Sequence, residues 1–140
     1  QMCIRDSFTL LKNAPAHDVR VINEGARVRV GDMSFEFCRT VHPLETYAVK
    51  VTEGGRSFVY TADAKYTDKL VNFCRGSGLA LVDCSFPSGT AHMIAEEGAR
   101  LAEEAGVKIY AIHFSPTYDA LPSLEKCGIP PVREGERIKV

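Results

Sequence analysis

Apolar and polar positions change rhythm once along this chain. From Val19 to Thr61 they alternate. Val19–Ile22 and Ala26–Val30 predict short strands around an Asn23-Glu24-Gly25 turn. Ser34–Thr40 sets Phe35, Phe37 and Arg39 against Glu36, Cys38 and Thr40, the period-two signature of a half-buried strand. Thr46–Val51 repeats the pattern with Tyr47, Val49 and Val51 on one face, Thr46 being read as a sheet position. Glu53-Gly54-Gly55-Arg56 then turns the chain into Ser57–Thr61. This half predicts an antiparallel meander.

Beyond Asp63 the spacing becomes helical. Tyr66, Leu70, Phe73 and Cys74 lie on one stripe, stopped by Gly76-Ser77-Gly78. Leu79–Val82 is a buried strand. His92 to Ala105 predicts one continuous helix, with Ala91, Ile94, Ala95, Gly98, Leu101, Ala102 and Ala105 inward and Glu96, Glu97, Arg100, Glu103 and Glu104 outward. Lys108–Ile112 is a further strand, Asp119 or Pro122 opens a short helix through Leu124, and Arg137–Val140 reads as a closing edge strand. Antiparallel strands followed by strand–helix alternation predict an α/β layered sandwich with a mixed sheet.

The chain has 140 residues, enough for one domain with a real core, and its 45% hydrophobic and 25% charged residues are ordinary for a soluble protein. A net charge of -1 gives no basic field for bulk nucleic-acid binding. No apolar run approaches the length of a membrane span, and no signal peptide is visible. Five cysteines without a CxxC pair read as reduced thiols of a cytoplasmic protein. Gln1–Ser7 shows no periodicity and reads as a non-native or disordered leader, Phe8–Leu11 as the end of a helix, and His17 as an exposed loop histidine.

Three strand-like runs end in metal-ligating side chains: Ser34–Val41 in His42, Ser57–Ala62 in Asp63, and Val107–Ile112 in His113. Imidazoles and a carboxylate after strand ends suit a polar rim able to hold a divalent metal. From the residues alone Asp63 reads first as a strand-end aspartate that caps the next helix, and the alternative for the histidines is a pair of satisfied loop residues.

Taken in order, these pieces resemble the metallo-β-lactamase-fold hydrolases, and within them the transfer-RNA 3′-processing endonuclease and phosphodiesterase branch. His42-Pro43-Leu44-Glu45-Thr46-Tyr47 is similar to the third metal motif. Phe58-Val59-Tyr60-Thr61-Ala62-Asp63 is similar to the bridging-aspartate motif, with Ala62 where glycine is usual. Asp83-Cys84-Ser85-Phe86 resembles an acidic-x-Thr-Phe segment, His92–Ala99 a helix start bearing a non-ligand histidine, and Ile112-His113-Phe114-Ser115-Pro116 the last ligand motif. The resemblance spans roughly residues 19–140. It implies the C-terminal part of an αββα sandwich, with His42, Asp63 and His113 as metal ligands, His92 as proton donor or phosphate contact, and Asp83 behind a ligand imidazole. It also implies two Zn²⁺ ions in a complete relative, with Mn or Fe as alternatives.

The family's HxHxDH run is absent from this sequence. Residues 8–140 are therefore expected to be a partial domain lacking its N-terminal half, holding metal weakly or not at all. The expected function is a piece of a hydrolase for phosphodiester or related ester bonds, acting on a small-molecule or nucleotide substrate. RNA is not indicated by charge, and no membrane is expected. The alternative is an inactive lobe that works only through another chain, such as a homodimer partner.

Overall fold

The computed structural model describes residues 21–140. Readings that fall on residues 1–20, namely the leader, the Phe8–Leu11 helix end, His17 and the start of the Val19 strand, lie outside these residues. Val21 and Ile22 are irregular, which corrects the predicted strand where it can be seen.

Four strands form a meander: β1 (Arg27–Val30), β2 (Met33–Arg39), β3 (Tyr47–Glu53) and β4 (Arg56–Tyr60). Then follow α1 (Asp68–Cys74), β5 (Leu79–Asp83), α2 (Ala95–Ala105), β6 (Lys108–Ile112) and α3 (Leu121–Lys126). The strands make one six-stranded sheet in sequence order, antiparallel from β1 to β4 and parallel from β4 to β6. The architecture is thus α/β with a mixed sheet, as the change of rhythm predicts.

The register sorts the two faces. Val59, Ala80 and Ile109 are cross-strand partners, as are Val82 with Ala111 and Cys38 with Ala48, and all are buried. They form one core with Leu70, Val71 and Cys74 of α1, Leu101 and Ala105 of α2, and Leu124 of α3. Right-handed crossovers between neighbouring parallel strands place α1 and α2 on the same side. The opposite face carries Phe35, Val51 and Phe58, each only half-buried, and holds clefts of about 270 Å³ and 240 Å³ on either side of Phe58 and Val140.

Two further expected elements differ. Helix α2 starts at Ala95, so His92 and Met93 precede it. Ile94 is extended (φ -87°, ψ 166°), and its N–H donates to Glu97 Oε2 at 3.1 Å, which stops the helix there. Met93 is nonetheless fully buried, so the apolar stripe runs on through non-helical chain. Arg137–Val140 forms no strand. The edge of β6 is taken instead by Pro130–Val132: Ala111 N–H donates to Pro130 O at 2.9 Å, and Val132 N–H to Ala111 O at 3.0 Å.

Gly98 lets α2 approach β5. A Cβ there would lie 2.8 Å from Cys84 Cβ and 2.9 Å from its Sγ. Alanine favours an exposed helix over glycine by about 1 kcal/mol, but overpacking a rigid contact costs about 1–3 kcal/mol. Gly98→Ala is therefore expected to lower the urea midpoint, and a raised midpoint would contradict this packing.

Candidate metal centre

Strands β2, β4, β5 and β6 run in the same direction, because two antiparallel reversals separate β2 from β4 and parallel pairing joins the rest. Their C-terminal ends meet at one edge of the sheet, where α/β folds bind ligands. His42 follows β2, Asp63 follows β4, Asp83 ends β5, and His113 follows β6. His92 reaches the same edge from the loop after β5.

The backbone is bent to bring these side chains together. Ala62 and His113 have φ of 52° and 59°, a left-handed conformation that costs a non-glycine residue roughly 1–2 kcal/mol. Thr61 is buried and ties the neighbouring strand ends: its N–H donates to Leu81 O, and its Oγ1 accepts the Asp83 N–H, both at 3.0 Å.

Asp63 and Asp83 sit in different surroundings. The Asp63 side chain is 37% exposed, with Oδ1 3.0 Å from His113 Nδ1 and Oδ2 3.9 Å from His42 Nε2. Asp83 is fully buried. Its Oδ2 accepts the Ala64 N–H at 3.0 Å and lies 2.7 Å from His92 Nδ1. Its Oδ1 has no hydrogen-bond partner and sits 3.5 Å from His113 Nδ1. Burial raises the Asp83 pKa, and the hydrogen bonds from His92 and Ala64 oppose this only in part. With Asp83 ionised, His92 carries its hydrogen on Nδ1 and presents the Nε2 lone pair outward.

Asp63, Asp83, His92 and His113 each offer a ligand atom within 4.8 Å of the others. Two carboxylates and two imidazoles suit Zn²⁺ or another divalent first-row ion. The orphaned Asp83 Oδ1 supplies the physical test, since a buried carboxylate oxygen without a partner is costly unless a cation completes it. These residues fit a divalent metal.

His42 stands just outside this group of four. Its side chain is 9% exposed, its ring centroid is 5.3 Å from that of His92, and its Nδ1 accepts the Leu44 N–H at 3.2 Å. Sequence reasoning named all five residues, with Asp83 and His92 assigned to chemistry and the other three to metal. It passed over Phe86, which stacks on His92 (centroids 4.0 Å apart, planes 14° apart) and meets His113 edge-on at 5.1 Å. The signal was present only as the Phe of the Asp83–Phe86 segment. The adjacent Cys84 thiol packs against Gly98 of α2, outside the converging group, and burial above all, then the Asp83 charge, pushes it up to about 12. Cys38, Cys74, Cys84 and Cys127 are all free thiols. Among the described residues no helix is long and apolar enough to cross a membrane.

A family model described as "Anti-Pycsar protein Apyc1" matches residues 9–129. The probable metallo-hydrolase YhfI of Bacillus subtilis (strain 168) is 33% identical over 101 residues, 69% of this chain and 41% of that protein. Ribonuclease Z of Archaeoglobus fulgidus is 35% identical over 82 residues, 51% of this chain and 27% of that one. Among solved structures, the metallo-beta-lactamase fold protein YhfI from Bacillus subtilis superposes with a TM-score of 0.76 at 28% identity, over 88% of this chain and 53% of the other. Human tRNase Z, short form, gives 0.55 at 18% identity over 64% and 38%, a likeness of fold. The chain therefore spans less than two thirds of the length of each of these relatives.

Proposed function

The chain belongs to the Anti-Pycsar protein Apyc1 family and is related to the metallo-β-lactamase-fold metal hydrolases; on that footing we propose that it is part of a metal-dependent hydrolase for phosphodiester or related ester bonds. The observation that carries this reading is the convergence of Asp63, Asp83, His92 and His113 around a buried, unpartnered carboxylate oxygen. Asp63, His113 and the unpartnered Oδ1 of Asp83, joined by His42 from just outside, would hold the divalent metal, two ions being proposed for the complete protein. When bound, the metal supplies Lewis-acid polarisation of the ester and acidification of water. The protein's own share is to bind and orient. Asp83 holds the His92 ring through its Nδ1–H, and His92, when it also carries a proton on Nε2, can pass that proton to a leaving oxygen or donate it to a phosphate oxygen. Phe86 shields one face of that imidazole from water. Likeness to a ribonuclease Z supports the phosphodiester class, and the net charge of -1 favours a small or nucleotide substrate over bulk RNA.

A second reading, association with another chain, is favoured by the half-buried apolar sheet face around Phe35, Val51 and Phe58. A sedimenting dimer without metal uptake would support it.

The metal reading is tested by titrating the chelator-treated chain with Zn²⁺ or Mn²⁺. A ligand at a hundredfold excess over its Kd stabilises by about 2.7 kcal/mol, so the thermal midpoint should rise by several degrees. Asp63→Ala and His113→Ala should flatten that response. An equal rise in both variants would place the ion elsewhere and end the reading.

A further inference from the structure

Thr40 belongs to none of the motifs that carry ligands, yet it joins two of them. It is 8% exposed, directly beyond the end of β2. Its N–H donates to Thr46 O at 3.0 Å, closing the base of the 41–45 loop that carries His42. Its Oγ1 lies 2.9 Å from the Asp63 carbonyl and 2.9 Å from Thr46 Oγ1. A hydroxyl has one proton to give and two lone pairs with which to accept. The Asp63 and Thr46 carbonyls, 2.9 Å and 3.3 Å from Thr40 Oγ1, can only accept; the Thr40 proton goes to the nearer, Asp63 O, and Thr46 Oγ1 is left to donate to Thr40 or to Leu44 O, 3.2 Å away. A second bond runs alongside: Lys65 N–H donates to Val41 O at 3.0 Å. The predicted role of Thr46 as a sheet position is thereby corrected, since β3 begins at Tyr47 and Thr46 is the other half of the clasp.

The spacing between Asp63 and His42, now 3.9 Å between Oδ2 and Nε2, hangs on how the Asp63 turn is held against the His42 loop. Thr40 is the side chain whose hydrogen bond spans the two. The turn needs such a hold, because Ala62 keeps it in a strained left-handed conformation. We propose that Thr40 is a positioning residue of the metal centre, its hydroxyl fixing the Asp63 turn to the His42 loop so that both side chains face one point. This rests on the metal-dependent reading above and adds to it a residue that touches neither metal nor substrate.

The experiment compares the wild-type chain with Thr40→Val, which keeps the shape and removes the hydroxyl, and Thr40→Ser, which keeps the hydroxyl. Two quantities are read: Zn²⁺ affinity by chelator competition, and amide hydrogen exchange of the metal-free chain. Loss of a group that orients ligands weakens metal binding by about 10–100-fold, and that is the result expected for Thr40→Val. Exchange at the Lys65 amide should rise about tenfold or more, with the Ala80 and Val82 amides of β5 unchanged, and Thr40→Ser should restore both readings. Wild-type affinity and a protected Lys65 amide in Thr40→Val would overturn the proposal. So would a uniform rise in exchange across β5 and α2 that serine does not rescue, since that marks a merely structural role. If the wild-type chain takes up no Zn²⁺, the metal reading fails, and the exchange comparison alone then decides whether Thr40 holds the turn.

Discussion

Asp83→Asn is expected to make the metal-free chain more stable and to weaken its metal binding by about 10–100-fold. The two effects share a cause. Asp83 has no exposure to water, and one of its oxygens lacks a partner. Burial raises its pKa despite the nearby imidazoles, so the charged form is held at a cost. In the window between the ordinary carboxylate pKa and the raised folded value, the folded chain binds more protons than the unfolded one. Stability contributed by this group is therefore full at acid pH and is lost as pH rises through the folded pKa. Asparagine keeps an oxygen for the Ala64 N–H and removes the charge. Relieving such functional-site costs commonly returns about 0.5–2 kcal/mol, or a few degrees in thermal midpoint. The gap between variant and wild type should open as pH rises from about 4 and close toward acid. Midpoints with chelator at pH 4 and pH 8, paired with metal competition at neutral pH, check this. A variant less stable than wild type at pH 8 would mean that the His92 and His113 pairs outweigh the burial.

Hydrolysis gives the second large effect. This chain alone should turn over bis-p-nitrophenyl phosphate close to background. A parent extended upstream by a half bearing the HxHxDH run should be faster by on the order of 10²–10³-fold or more with Zn²⁺ or Mn²⁺. The reasoning is ligand counting and positioning. Tetrahedral zinc needs three or four protein groups. Here Asp63 is 37% and His113 is 40% exposed, on an open rim. An ion held loosely on such a rim cannot place phosphorus and water in line, and misplacement by about 1 Å already costs about 10²-fold. If the isolated chain hydrolysed the substrate, lost activity with chelator and lost it again in Asp63→Ala, the missing ligands would come from a second copy. Mixing Asp63→Ala with His113→Ala chains would then restore part of the rate.

How far the site was legible varies by residue. Asp63 and His113 could be seen because each closes an apolar run, and a strand's end is visible in its own sequence. Asp83 closes a similar run after Leu79–Val82, but nothing local distinguishes it from Asp63. That one is half-exposed and the other sealed follows from β5 lying between β4 and β6. Thr40 and Thr46 read as alternating strand residues, since a hydroxyl's partner 23 positions away leaves no periodic trace. The start of α2 was misplaced for a related reason. Ile94 and the buried Met93 continue its apolar stripe, so burial imitates helical spacing where the backbone is extended.

The sequence by itself determined the strands from Ser34 to Ile112, the change from meander to strand–helix alternation, and the residue types able to hold a cation. These are local properties: side-chain periodicity, turn chemistry, and the residue that ends each run. Only the tertiary structure decided which carboxylate is buried, that His42 stands just outside the tight group of four, and that Phe86 and Thr40 belong to the same edge. Those facts depend on parallel pairing of β4, β5 and β6 and on the bent backbone at Ala62 and His113. Desolvation and ligand distance are set by which strand ends become neighbours, and neighbourhood between residues 20 to 50 positions apart is a property of the sheet as a whole.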